Sequence, residues 1–269
     1  MMNQKRAEIG IIGGSGFYDL ATGLEEIKVE TPYGPPSDKI ALGKINSKKV
    51  AFLPRHSKEH NLPPHQINYR ANIWALKELG VKRIITSHAV GSLQKEVKPG
   101  DFVILDQFID RTKGRIDTFY DGQIPTHVST AFPYCSQLRK LAVKIARKQK
   151  LSFHEKGTVV VIQGPRFSTA AESAWFTKMG WQTINMTSYP EVVLAKEKEI
   201  CYCALALVTD YDAGLVFQGD AKAVSTKEVI KIFNQNVSRA KKLILAMIKS
   251  WPKSLTCDCQ VALREARFG

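Results

Sequence analysis

The stretch "ICYCALALVTDYDAG", residues 200–214, carries the reading of the fold. Its apolar run reads as a buried strand, and that strand delivers two carboxylates, Asp210 and Asp212, just before the chain turns at Gly214. In an extended segment alternate residues face one side, so the two acids project together. Like charges held that close repel unless something meets them. The strand therefore ends at a candidate binding site.

Working outward in both directions, short β-rich runs alternate with helical patterns, the signature of an α/β fold. Strands are predicted at residues 8–14, 49–56, 83–90, 101–110, 157–164, 183–188 and 200–210. Helices fill most of the gaps. One covers 64–79, opening at Pro63 and Pro64 and stopping at Gly80. Another begins where Thr169 and Glu172 fit a capping box and ends at Gly180. The last long one starts where Ser225 and Glu228 are similarly spaced and runs to about Ile248. Trp74, Trp175 and Trp181 read as packing residues. No repeat or linker divides the chain, so a single domain over 1–250 with a short tail at 251–269 is the simplest organisation.

A chain of 269 residues, 44% of them hydrophobic, is long enough to bury a sizeable core. No uninterrupted apolar run reaches the roughly 18 residues of a membrane span, and no charged-then-apolar leader precedes residue 8. A cytoplasmic location is expected. The net charge of +14 would suit nucleic acid, an acidic surface or an anionic substrate. Its distribution speaks against nucleic acid. The densest basic stretch, 137–150, spaces Leu138, Leu141, Ala142, Ile145 and Ala146 at helical intervals with Arg139, Lys140, Lys144 and Arg147 mostly between them. It reads as the solvated face of an amphipathic helix, with a partner-binding patch as the alternative.

The strand ends hold the chemistry: "GGSG", Arg55-His56, "SHAVGS", "QGPRFS", "NMTS" and "TDYD". Ligands of open α/β sheets bind outside the carboxyl ends of strands, so these clusters converge on one pocket. "GGSGFYD" is not a dinucleotide fingerprint, because Asp19 stands where the third glycine belongs. Gly13, Gly14 and Gly16 still allow close backbone approach to an anion, Ser15 adds a hydroxyl, and Arg55 adds a permanent positive fork.

"IGIIGGSGFYD", "PRHSKEH", "NYRANIWALKELGV", "VGSLQKEVKPGDFVILDQFIDRT", "QGPRFSTAAES", "INMTSYPEVVLAKE" and "TDYD" together resemble the 5'-methylthioadenosine phosphorylases of the trimeric purine nucleoside phosphorylase superfamily. The likeness runs in one order over about 9–248 and leaves the tail outside. It implies a single domain with a central twisted mixed β-sheet flanked by helices. It also implies a pentosyltransferase, in which phosphate attacks C1' of 5'-methylthioadenosine to release adenine and 5-methylthioribose 1-phosphate. By the same likeness Ser15, Arg55, His56, Ala89 and Thr187 surround phosphate, with Thr187 also near the sugar. Phe167 and Met186 flank base and ribose, while Ser168, Asp210 and Asp212 hold the purine. His127 reaches a neighbouring subunit's sugar pocket, which implies a homotrimer or a dimer of trimers. His60 matches a sugar or phosphate neighbour, and Val229 is a candidate contact for the methylthio group. Inorganic phosphate is a co-substrate; no metal and no organic cofactor are expected.

The residue types suit that reaction. Glycosidic cleavage puts positive charge on the ribose and negative charge on the departing base, so phosphate meets the first and an acid relieves the second. Adenine shows an acceptor at N7 and a donor at N6 on one edge. An acid at Asp210 on N7 and an acceptor at Asp212 on N6 fit that edge. A 6-oxopurine would leave Asp212 facing another acceptor, so adenine is preferred. Broader purine nucleoside phosphorolysis is the alternative within this class, and a basic nucleic-acid-binding protein is the alternative outside it.

His88 departs from the likeness, since a small hydroxyl or amide residue commonly stands there. It either binds phosphate or leaves that to the Ala89 N–H. Cys201 and Cys203 read as buried core thiols. Cys257 and Cys259 flank Asp258 in the tail, where they either close a small ring or pair with another chain. No nearby Cys or His completes a zinc set in the sequence.

Overall fold

The computed structural model describes residues 6–13, 17, 20–122, 124–221, 225–252 and 254–267, with nothing said of the Thr226 side chain. In chain order the strands are β1 (Ile9–Gly13), β2 (Thr22–Ile27), β3 (Ile40–Ile45), β4 (Lys48–Pro54), β5 (Arg83–Ser92), β6 (Phe102–Ile104), β7 (Gln107–Arg111), β8 (Phe153–His154), β9 (Thr158–Ile162), β10 (Thr183–Asn185) and β11 (Cys201–Tyr211). The helices are α1 (Tyr69–Glu78), α2 (Ser136–Lys148), α3 (Ala170–Lys178), α4 (Ser188–Glu197), α5 (Ala213–Phe217) and α6 (Thr226–Lys249).

All eleven described strands join one mixed sheet. Its middle is β5. β11 runs parallel along one edge of β5, from Cys201 opposite Arg83 to Tyr211 opposite Ser92. The other edge is shared: β1 pairs with it as far as Thr86, and β10 takes it up, antiparallel, at Gly91 and Ser92. Among the described strands none pairs with that edge over residues 87–90, so the sheet divides there. β4, β3 and β2 continue it beyond β1, and β9 and β7 beyond β10; β6 and β8 lie beyond β11.

The alternation of β11 explains why a wholly apolar strand is needed. Tyr202, Ala204, Ala206 and Val208 pack on one side with Ile73 and Leu76 of α1 and Val192 and Leu194 of α4. Cys201, Cys203, Leu205 and Leu207 pack on the other with Leu138 and Ile145 of α2 and Leu243 and Ile244 of α6. Both faces are covered, and each buried aliphatic side chain contributes on the order of 1.5–3 kcal/mol. The buried stripe of α2 is Leu138, Ala142, Ile145 and Ala146, as an amphipathic helix requires. Two of its arginines are tied down locally: Arg139 donates to the carbonyls of Leu105 and Glu155, and Arg147 pairs with the Glu155 carboxylate. That favours the solvated-face reading of the basic stretch.

The helix punctuation fits the predicted ends. Thr169 with Glu172 and Ser225 with Glu228 form complete capping boxes, and Gly80 and Gly180 stop their helices at φ +88° and +76°. The helix expected over 64–79 divides into a short 3-10 turn at Pro64–Gln66 and α1, because Asn68 accepts from the Ala71 N–H and restarts the helix. The strand expected over 101–110 also divides. β6 pairs with β11 and β7 with β9, so the intervening Leu105-Asp106 turns the chain between two parts of the sheet.

The described tail residues, 251–252 and 254–267, pack back onto the body. Trp251 and Ala266 are buried, Gln137 and the tail backbone exchange hydrogen bonds, and Arg267 bridges to Thr126 beside His127. No described helix is long and apolar enough to cross a membrane.

Candidate active site

The division of the sheet at residues 87–90 is where the candidate residues gather. Ala89 is exposed on an otherwise buried strand, and its neighbours Ser87 and His88 are buried. The Arg55 N–H donates to the Gly13 carbonyl, which joins the ends of β4 and β1 beside the opening.

Arg55 is 3% exposed, and its guanidinium is held from within. Nε donates to Glu191 Oε2 at 2.8 Å and Nη2 to Oε1 at 3.0 Å, a bidentate pair with a carboxylate that is wholly buried. Nη2 also donates to Thr86 Oγ1, and Nη1 to the Ser87 carbonyl at 3.1 Å. Burial alone would favour loss of the Arg55 proton; Glu191 outweighs it and holds the pKa above the usual arginine value. Among the described residues one N–H of Nη1 is left without an acceptor, and it is the group of Arg55 placed to meet an anion.

Behind Arg55 lies a buried polar network that the sequence pattern did not single out. Tyr202 donates to Glu191 Oε1 at 2.5 Å, and Thr86 Oγ1 lies 3.0 Å from the Ile12 carbonyl. His88 reaches Tyr202 OH and Thr86 Oγ1 through Nε2, at 3.3 and 3.4 Å, and Thr187 Oγ1 through Nδ1 at 2.9 Å. Burial, then the charge of Arg55 and the nearby His56, lowers the His88 pKa well below the ordinary value. His88 is thus a neutral interior residue. His56 is half-buried beside the opening and donates from Nδ1 to the Leu62 carbonyl at 2.8 Å. Burial and then Arg55 lower its pKa too, so its Nε2 is left as an acceptor.

The two acids sit at the far end of β11. A bulge at Thr209 shifts the register between Val208 and Asp210, and Asp212 lies just past the strand as N-cap of α5. Burial raises the Asp210 pKa and the charge of Asp212 raises it further, against a hydrogen bond from Thr209 that lowers it. Asp212 is buried; its N–H donates to the Ser92 carbonyl and its Oδ2 accepts from Ser168 Oγ at 2.6 Å. Gly91 packs closely beside it: a Cβ there would stand 3.2 Å from Ile184 and 3.5 Å from Asp212. Glycine likewise stands at residue 164, where a side chain would meet Met186 Sδ at 2.7 Å.

Asp210, Asp212 and Ser168 are therefore together, and so are Arg55, His56, His88 and Thr187. Phe167 is 80% exposed next to Ser168. Met186 is half-buried, its carbonyl held by Arg115 at 2.8 Å. His127 is exposed in the loop that the tail pins, its N–H donating to the Ala266 carbonyl. Val229 is half-buried near the start of α6, and His60 is exposed. Ser15, Gly14 and Gly16 lie outside the described residues. A cavity of about 640 Å³ is lined by Pro35, Asp38, Lys58, Asn61, Leu62 and others but by neither Asp210 nor Asp212.

One grouping overturns an expectation. The sulfurs of Cys135, Cys201, Cys257 and Cys259 lie within 4.8 Å of one another, so the tail pair does have nearby cysteines. Cys135 opens α2 and Cys201 opens β11, remote in sequence but adjacent where the tail crosses them. The donor set suits a thiophilic cation. It is separate from the strand-end cluster.

A model of the Phosphorylase superfamily matches residues 8–249. The chain belongs to that superfamily. The S-methyl-5'-thioadenosine phosphorylase of Thermofilum pendens is 51% identical over 97% of this chain and 99% of its own length. The purine nucleoside phosphorylase of Streptomyces coelicolor is 46% identical over 96% and 94%. Among solved structures, the methylthioadenosine phosphorylase of Schistosoma mansoni in complex with adenine superposes with a TM-score of 0.87, at 35% identity over 97% of this chain and 99% of that one. The central mixed sheet flanked by helices is the fold of this superfamily member.

Proposed function

We propose that the chain cleaves the N-glycosidic bond of 5'-methylthioadenosine with inorganic phosphate, giving adenine and 5-methylthioribose 1-phosphate. The observation that carries this reading is the Asp210–Asp212 pair: one acid with a raised pKa, the other oriented by Ser168, at the end of the strand that borders the sheet opening. Asp210 lends its proton to N7 as the bond to C1' breaks, and Asp212 accepts from N6. Phosphate lies by the opening near Ala89, Arg55 and His56, with Ser15 as a further contact by the family likeness. The neutral His56 Nε2 can accept the remaining proton of monohydrogen phosphate. Phe167 and Met186 border base and ribose, and Val229 borders the methylthio group. No metal or organic cofactor enters these steps. The test is release of adenine from methylthioadenosine that depends on added phosphate; hydrolysis without phosphate would reject it.

The named purine nucleoside phosphorylase among the relatives keeps a broader purine specificity as the second reading. Asp212→Asn separates the two, because an amide can donate to a 6-oxo group where a carboxylate cannot. The substitution should raise kcat/KM for inosine relative to adenosine by roughly tenfold or more, the scale of one unmatched buried polar pair removed. An unchanged ratio would mean that Asp212 does not read position 6.

The enzyme is further proposed to be a cytoplasmic homotrimer or dimer of trimers, in which the exposed His127 completes a neighbour's sugar pocket. Dilution until the assembly dissociates should then abolish turnover. Sedimentation and assay at matched concentrations check it, and a fully active monomer would exclude the shared pocket.

A further inference from the structure

The parallel ladder of β9 and β10 stops at Val161 opposite Asn185. Beyond it the two chains part, one running through Gln163 and Gly164 to Phe167 and Ser168, the other through Met186 into α4. The carbonyls just past the ladder are acceptors, so they cannot hold one another and need a donor between them. Arg115 supplies it. Its Nη2 donates to the Gln163 carbonyl at 2.9 Å and to the Met186 carbonyl at 2.8 Å, with a longer contact of 3.4 Å to the Ile162 carbonyl. Nε donates to Gln163 Oε1 at 3.2 Å, and Nη1 to the Tyr189 carbonyl.

A solvated arginine ties itself to one carboxylate at little gain. Here every hydrogen bond of the guanidinium ends on one of the two diverging chains, and its own segment is fastened on both sides of it. The Lys113 N–H donates to the same Gln163 Oε1 at 3.0 Å, Asp117 accepts from Tyr189 OH, and the Thr118 hydroxyl and Phe119 N–H each donate to the Glu197 carboxylate at 2.7 Å. The guanidinium also lies over the Tyr69 ring, 5.4 Å from its centroid. The two chains meet where Gly164 approaches Met186 so closely that a Cβ would stand 2.7 Å from Sδ. Ser168, held by Asp212, fixes the far end of the first chain. Without the fork, the carbonyls of Gln163 and Met186 lose their shared donor, and the spacing of Phe167 from Met186 is no longer set.

We infer that Arg115 is a positioning residue for the nucleoside: its planar fork, wedged between the ends of β9 and β10, sets the distance between the Phe167 and Met186 sides of the site. It takes no part in holding phosphate, because Arg55 and His56 are fixed by Glu191, Thr86, Ser87 and Leu62 instead. This role rests on the proposed nucleoside site and not on the reaction performed there.

Calorimetric titration of the full chain with methylthioadenosine alone, and separately with inorganic phosphate, tests the role without turnover. Arg115→Ala should weaken methylthioadenosine by roughly tenfold or more, the scale of one or two lost hydrogen bonds, and leave phosphate within about twofold. Millimolar methylguanidinium should return much of the lost affinity to that variant. Methylammonium should not, since it brings charge without the planar fork. Arg115→Lys, which keeps charge and stem and decides the matter if the alanine protein does not fold, should still weaken methylthioadenosine by about fivefold. A lysine variant that binds as wild type does would overturn the inference. So would equal weakening of phosphate and nucleoside, recovery by neither cation or by both alike, or a wild type that binds no methylthioadenosine. If binding follows the expected pattern but added phosphate brings no cleavage, the proposed reaction fails and the role of Arg115 stands.

Discussion

Asp210→Asn is expected to lower kcat for methylthioadenosine by about 100-fold or more, the scale of a lost general acid. The side chain keeps its size, so purine affinity should change much less, and kcat and kcat/KM should fall together because the interaction is made in the transition state. The pH profile adds a sign. Burial and the neighbouring Asp212 raise the Asp210 pKa, so the group holds its proton to higher pH than an exposed aspartate. Activity that uses that proton is present below the raised pKa and is lost as pH rises through it. The asparagine variant, having no proton to lose there, should show no such basic limb. Steady-state kcat measured across pH for both proteins checks this. A loss under about fivefold with the limb intact would remove Asp210 from the acid's role.

Much of this architecture was legible because it rests on local chemistry. The burial of β11 on both faces requires the unbroken apolar run at 200–208, and the capping boxes at Thr169 and Ser225 are written in adjacent residues. What escaped depends on partners distant in sequence. The hairpin of β2 and β3 has no apolar face to announce it: Thr22–Ile27 is exposed except at Ile27, and β3 is buried only in part. α4 follows β10 so closely that the predicted strand 183–188 ran into its first turn. β6 and β7 looked continuous because the apolar character of 101–110 does not record that the two halves pair with different strands.

The site shows the same division. The carboxylates were readable from their spacing, although the strand is bulged at Thr209 and Asp212 lies beyond its last residue. Arg55 was read as an open phosphate fork, whereas most of its donors are spent on residues far along the chain: Thr86, Ser87 and Glu191. One signal for this was present. "SYPEVVLAKE" places Glu191 among apolar residues at a helix start, and a wholly buried acid needs a cation or a network to hold it. His88, too, became interpretable only once Tyr202 and Thr187 stood on either side of it.

Glu191 therefore yields a large expected stability effect. Glu191→Leu removes one partner of a buried, bidentate ion pair and leaves the Arg55 guanidinium charged among Thr86, Ser87 and Tyr202 with no carboxylate to answer it. Breaking such a pair from one side typically costs about 3–5 kcal/mol, because the remaining charge keeps its desolvation penalty and loses its attraction. The pair as a whole is a different matter. Its Coulomb gain is largely offset by the penalty of burying both ions, so Glu191→Leu combined with Arg55→Met should recover much of the stability that the single change loses. Activity should not recover with it, since the anion contact left to Arg55 would also be gone. Urea unfolding of the three variants at one fixed protein concentration, alongside phosphate titrations of the folded proteins, separates these effects. A Glu191→Leu protein within about 1 kcal/mol of wild type would show that Arg55 finds water or another acceptor, and that the carboxylate does not hold the guanidinium in place.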